Sequence, residues 1–214
     1  KISGEGPVTV NKDGTVSFTW KKGKQAPTTV TGPAASIEEY GRDNSYNRQR
    51  IAIERLSKEH VEAWKDTAQR DRDVQASKDI TSTKNKLNDA FKDYGIKFSL
   101  DHMVPMRKYG LNFAWNTLPI PTKVNELLRD RSLSNIKEGS LEARFFNSLM
   151  DAKNTDILSS IVKATAAAYP DKNINVDNIL DALKEFNIPE PAIAPKTLKP
   201  FKGMERIRNT YNYD

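Results

Sequence analysis

The sequence predicts an α+β protein that is mostly helical, with a small strand, loop, strand and helix unit among the helices and a β-hairpin near the N-terminus. Three observations predict it. Residues 96–101 alternate, Ile96, Phe98 and Leu100 on one face and Lys97, Ser99 and Asp101 on the other, which is the period of a half-buried strand. Phe113 to Ile120 is rich in aromatic and branched residues, and Val124, Leu127 and Leu128 follow at helical spacing. On both sides of this unit, apolar side chains recur every three or four residues.

Taken in order, Val8 to Trp20 forms two alternating runs about an Asn-Lys-Asp-Gly turn, a hairpin pattern with Val16, Phe18 and Trp20 on one face. Lys21 to Ala35, with its Lys, Gly, Pro and Thr, reads as a basic linker without structure, so residues 1–35 are set apart. Ser36 and Glu39 make a capping box, and a charged helix is expected from there to about Gln75. A second helix runs from about Ile80 to Tyr94 with Leu87, Ala90, Phe91 and Tyr94 inward, and Gly95 stops it. Residues 36–135 then form a helical scaffold holding the unit at about 96–131. Within that unit prolines 119 and 121 close the second strand, and Thr122 is the expected N-cap of the short helix carrying Asn125.

Residues 136–190 are expected to be a small helical subdomain of three helices. Leu141, Phe145 and Leu149 mark the first, and Ile157, Leu158, Ile161 and Val162 the second, which Tyr169-Pro170 stops. Ile179, Leu180, Leu183 and Phe186 mark the third. Residues 191–214 read as a proline-containing basic tail in which Lys196, Lys199, Lys202, Arg206 and Arg208, with Phe201, Tyr211 and Tyr213, could grip phosphate and stack bases, a packed or disordered terminus being at least as good a reading.

The 214 residues suffice for one moderate domain or two small ones, and the absence of cysteine excludes a disulfide or thiolate-metal framework. A net charge of +6 suits a polyanionic partner. No apolar run is long enough to span a bilayer, so a soluble protein with no membrane role is expected. Lys1 in place of Met suggests a processed product or a piece of a longer polypeptide.

The candidate chemistry lies between Lys97 and Arg131. Asp101-His102-Met103-Val104-Pro105, then Gly110, Asn116 and Asn125, resembles the HNH nucleases, whose ββα-metal unit carries Asp-His-x-x-Pro, a glycine, an asparagine and a last His or Asn on the helix. Fourteen positions separate His102 from Asn116 and nine separate Asn116 from Asn125. The resemblance covers about 35 of 214 residues, and the zinc-knuckle cysteines found in part of that family are absent. It implies a His-Asn-Asn variant, similar to the phage and homing-type nucleases, acting as a metal-dependent DNA endonuclease that leaves a 5′-phosphate and in some members nicks one strand.

By that resemblance His102 is the general base, and imidazole chemistry suits the role because its ordinary titration lies near neutral pH. Asn116 braces the loop and orients the imidazole. Asp101 and Asn125 supply hard oxygen ligands for Mg²⁺ or Mn²⁺. Arg107, Lys108, Lys123, Arg129 and Arg131 are the expected DNA contacts. Double-stranded DNA is the expected partner, in the cytoplasm of a host or infected bacterium or in a virion, with a parent polypeptide or a virion or immunity partner left open.

A different reading of the same residues makes His102 a hydrogen-bonded core histidine and the asparagines turn and cap residues. The chain is then a non-catalytic DNA-binding or virion-associated structural protein with a decayed or incidental site. A bacterial toxin's nuclease domain is a third possibility. Adjacent strand residues also point to opposite faces, so Asp101 and His102 converge only if the strand ends or bulges there.

Overall fold

The computed structural model describes residues 2–3, 9–10, 16–22, 28–32, 67–105, 114–129, 131–153, 156–190 and 202–211. The expectations for Arg107, Lys108, Gly110, Lys196 and Lys199, and for the helical stretch over 36–66, lie outside these residues.

Near the N-terminus β1 (Ile2–Ser3), β2 (Thr9–Val10), β3 (Val16–Lys22) and β4 (Thr28–Gly32) form an antiparallel sheet. The expected hairpin is β2 with β3, in register Val10↔Val16. The expected linker is not structureless. It contributes β4, which pairs along β3 from Val16↔Gly32 to Trp20↔Thr28, because its Thr-Thr-Val-Thr run has the branched residues that suit a pleated strand.

Helix α1 (Thr67–Ala90) is continuous across the break expected between Gln75 and Ile80. The polar run Gln75-Ala76-Ser77-Lys78-Asp79 lacks apolar periodicity because most of it is exposed, while Ala76, Ile80, Thr83 and Leu87 keep the buried face in register. A short 3-10 turn over Lys92–Tyr94 follows. Gly95, at φ 67°, ends it in the left-handed conformation that favours glycine, as its place in the sequence predicts.

Two further strands, β5 (Phe98–His102) and β6 (Thr117–Pro121), pair antiparallel from Phe98↔Pro121 to His102↔Thr117. Pro119 and Pro121 lie inside β6 rather than beyond it. A two-stranded sheet tolerates this because each strand has an edge on which no ladder hydrogen bond is needed. β6 passes directly into α2 (Thr122–Leu128). Thr122 is not its N-cap: the Thr122 N–H donates to the Lys97 carbonyl at 2.7 Å, and Pro121 takes the cap position without a side-chain bond.

Then come α3 (Leu141–Asp151), α4 (Ile157–Ala168), α5 (Val176–Ala182) and α6 (Gly203–Tyr211). Ser140 Oγ accepts from the Ala143 N–H at 3.2 Å and Asp156 Oδ1 from the Ser159 N–H at 2.9 Å, so both longer helices start on side-chain caps, each contributing about 1 kcal/mol. One cluster of buried apolar side chains joins Leu87 and Phe91 of α1, Phe98, Leu118 and Ile120 of the hairpin, Val124 and Leu128 of α2, and the inner faces of α3 to α6.

The expected basic tail therefore contains a packed helix. Met204, Ile207 and Tyr211 recur at three and four residues and are buried in that cluster. Arg206 has no exposed surface, and Arg208 donates from Nε to the Met150 carbonyl at 2.8 Å and from Nη2 to that of Ala152. Both guanidinium groups thus bond to main-chain carbonyls or acidic groups within the fold. No described helix is long and apolar enough to cross a membrane.

Candidate functional site

The hairpin and α2 set the geometry. Cross-strand partners share a face, so Ser99, Asp101, Leu118 and Ile120 look to one side of the sheet and Phe98, Leu100 and His102 to the other. α1 covers the second side: Phe91 meets Phe98 with ring centroids 5.0 Å apart, and Leu100 packs on Ala76, Ile80 and Ala114.

Two asparagines clamp β5 at its ends. Asn88 of α1 accepts from the Phe98 N–H at 2.7 Å and donates to the Phe98 carbonyl at 3.5 Å. Asn116, fully buried, accepts from the Val104 N–H at 2.8 Å and donates to the Val104 carbonyl at 3.0 Å. The Met103 N–H also donates to the Asn116 carbonyl at 2.8 Å. The segment leaving His102 is thus fixed by both the backbone and the side chain of Asn116. Its amide matches the donor and acceptor of one peptide residue, so both polar groups of Val104 are satisfied. Asn88 has no sequence signal, since a mid-helix asparagine does not announce a partner ten residues on.

His102 ends β5 and is half-buried, opposite Thr117; the ladder runs through Asp101 and His102 without a bulge, so the two side chains leave opposite faces of the strand and the convergence that a bulge would allow is not made within β5. Asp101 is nearly fully buried at 4 % exposure, and the Tyr211 hydroxyl of α6 donates to its Oδ2 at 2.8 Å. Burial pushes this carboxyl from 3.8 up to about 7, while the Tyr211 hydrogen bond pulls it down. Tyr211 is itself held edge-to-face against Phe146 at 5.0 Å. Asn125 reaches back from α2 and donates from Nδ2 to Ser99 Oγ at 3.1 Å. Asn125 is thereby tied to the strand face that carries Asp101 two residues further on. Its amide nitrogen is engaged, which leaves the carbonyl oxygen as the end suited to a cation.

Among the described residues no three His, Cys, Asp or Glu cluster as a metal site.

Of the expected DNA contacts, Lys123 is exposed and 3.7 Å from Glu126. Arg129 is exposed and closes α2 at φ 54°, its Nε donating to the Glu126 carbonyl at 3.3 Å. Arg131 is half-buried: it donates to the carbonyls of Leu127 and Leu128 and forms an ion pair with Glu142 at 3.2 Å.

No family model matches this chain, and no curated protein or solved structure is significantly similar to it.

Proposed function

We propose that the chain is a metal-dependent phosphodiester hydrolase acting on DNA and, within that class, an HNH-type endonuclease. The observation that carries the reading is the Asn116 clamp. An Asp-His pair closes the first strand of a hairpin, the loop beyond it is held at Val104 by a buried asparagine fourteen residues after the histidine, and a second asparagine returns from the following helix. The same positions carry the resemblance in sequence.

In this reading His102 takes the proton of an attacking water, the water oxygen bonds to phosphorus, and the bond to the 3′-oxygen breaks; that oxygen takes a proton from solvent, leaving a 5′-phosphate and a 3′-hydroxyl. Asp101 and Asn125 would hold Mg²⁺ or Mn²⁺, which supplies Lewis acidity at the phosphate and charge stabilisation at the leaving oxygen. Asn116 does no chemistry itself. It fixes the backbone that follows the imidazole.

One observation favours a second reading. Asp101 is buried against Tyr211, as a structural carboxyl would be, which suits a non-catalytic DNA-binding or virion-associated structural protein. Incubation of supercoiled plasmid with Mg²⁺ or Mn²⁺, with and without EDTA, separates the two. The endonuclease reading expects metal-dependent nicking or linearisation that His102→Ala abolishes while DNA affinity stays within about threefold. Cleavage that persists in His102→Ala, or no cleavage by the folded wild type, removes it.

A further inference from the structure

Where β5 begins, two cavities of about 230 and 460 Å³ adjoin, sharing Gly95, Ile96, Lys97 and Thr122 in their walls. Four lysines line the combined groove: Lys92 after α1, Lys97 before β5, Lys123 in α2 and Lys172 after α4. All four are exposed, and Glu126 is the one carboxylate among the described residues of the lining. Tyr169, half-buried, closes one wall. Gly95, at φ 67°, turns the backbone between Lys92 and Lys97 and so brings both to the groove. A Cβ built on Gly95 would find Lys172 Nζ at 4.0 Å as its nearest neighbour.

The groove lies at the start of the strand that carries Asp101 and His102 at its far end, and none of Asp101, His102, Asn116 and Asn125 lines it. Lys97, Ser99 and Asp101 alternate along one face of the same extended segment, and Asn125 follows Lys123 by two residues in α2. From Lys97 to Asp101 is about 13 Å of extended chain, or about four base steps of duplex.

We propose that this groove seats the phosphodiester backbone of DNA. Lys92, Lys97, Lys123 and Lys172 neutralise successive phosphates, and the Tyr169 ring offers a face for a sugar or base. Contacts to phosphate carry no sequence information, so the track is indifferent to sequence. The inference rests on DNA being the substrate and adds three lysines, at 92, 97 and 172, that the nuclease motif does not contain.

The test is fluorescence anisotropy of a labelled duplex with the full chain in EDTA, over a salt series. The groove variant Lys97→Glu/Lys172→Glu is compared with Lys163→Glu/Lys184→Glu, which makes the same charge change at exposed lysines outside the groove. The groove variant should lose about tenfold or more in affinity and flatten the slope of log K against log salt by about 1.8, as two lost phosphate contacts require, while the control loses less than about threefold. Equal losses in both variants, or no loss in the groove variant, overturn the proposal. So does displacement of the duplex by polyglutamate as readily as by unlabelled DNA, which would assign the groove to an acidic protein. A parallel plasmid assay keeps the two readings apart. Nicking by wild type with an unaffected groove variant sinks the groove alone, whereas groove-dependent binding without cleavage by any preparation sinks the nuclease and leaves the groove standing.

Discussion

Raising the pH in the absence of divalent metal should weaken this fold, and the buried Asp101 carboxyl sets by how much. Its proton affinity rises from an ordinary 3.8 to about 7 in the folded chain. A group whose folded pKa lies above its unfolded one contributes stability in full below the unfolded value, and that contribution is lost as pH rises through the folded value. The window therefore runs from the unfolded 3.8 to the folded value of about 7, and the loss is complete above it. At roughly 1.4 kcal/mol for each tenfold change in proton affinity, the loss comes to about 4 kcal/mol. That is a large part of the 5–15 kcal/mol typical of a domain. Tyr169 and Arg206 also titrate away from their ordinary values, but a raised phenol and a guanidinium fall outside this window. The assay is urea unfolding at a series of pH values in EDTA, for wild type and for Asp101→Asn, which has no carboxyl to ionise. Wild type should lose stability across that window, the asparagine variant much less, and Mg²⁺ should restore the wild type above it by favouring the charged carboxylate. Tyr211→Phe removes the hydrogen bond that favours ionisation, so its loss should move to higher pH. Equal pH dependence in wild type and Asp101→Asn would refute the reasoning.

Asn116→Ala removes two hydrogen bonds to Val104 and leaves that residue's N–H and carbonyl without their partner. The expected cost is about 2 to 4 kcal/mol, read from the urea midpoint, together with loss of plasmid cleavage at unchanged DNA affinity; a cost below about 0.5 kcal/mol would mean that the clamp does not hold the loop. Deleting residues 203–214 removes Met204, Ile207 and Tyr211 from the core at about 1.5 to 3 kcal/mol each, so the truncated chain should lose cooperative thermal unfolding by circular dichroism. A truncated protein that melts cooperatively near the wild-type temperature would show that α6 is dispensable.

What is legible in the sequence is local. The alternation of Ile96, Phe98 and Leu100 marks β5, the glycine at 95 marks the left-handed turn, and Val124 with Leu128 marks α2. The misreadings have physical causes. The gap between Gln75 and Ile80 reads as a helix end because apolar residues are missing, but an exposed helical turn needs none where residues such as Ala, Gln and Lys favour the helix. Prolines 119 and 121 read as breakers, although an edge strand can carry them where no N–H is required. The last helix reads as a basic tail because Lys202, Arg206 and Arg208 dominate its charge, while the spacing of Met204, Ile207 and Tyr211 already traces a buried face. The bond from Tyr211 to Asp101 joins parts of the chain 110 residues apart, and no local pattern encodes such a pair; the Asn88 clamp spans ten residues but follows no helix or strand period.

That long-range bond changes what the C-terminal segment is for. A flexible cationic tail would add affinity for DNA and leave the chemistry to the hairpin. Instead α6 supplies a side-chain donor to Asp101, and it inserts Arg206 beneath the hairpin, where Nη1 donates to the Trp115 carbonyl at 3.3 Å, next to Asn116. Glu190 balances that buried guanidinium at 3.5 Å from Nε and accepts from the Gly203 N–H at 2.6 Å, fastening the start of the same helix. Both residues at the heart of the candidate site, Asp101 and Asn116, therefore have α6 as a direct or adjacent neighbour. Contacts this far apart in sequence form only after much loop entropy has been lost. The site is thus completed by a helix that follows it by some ninety residues or more, and its geometry depends on an element that carries none of the motif residues.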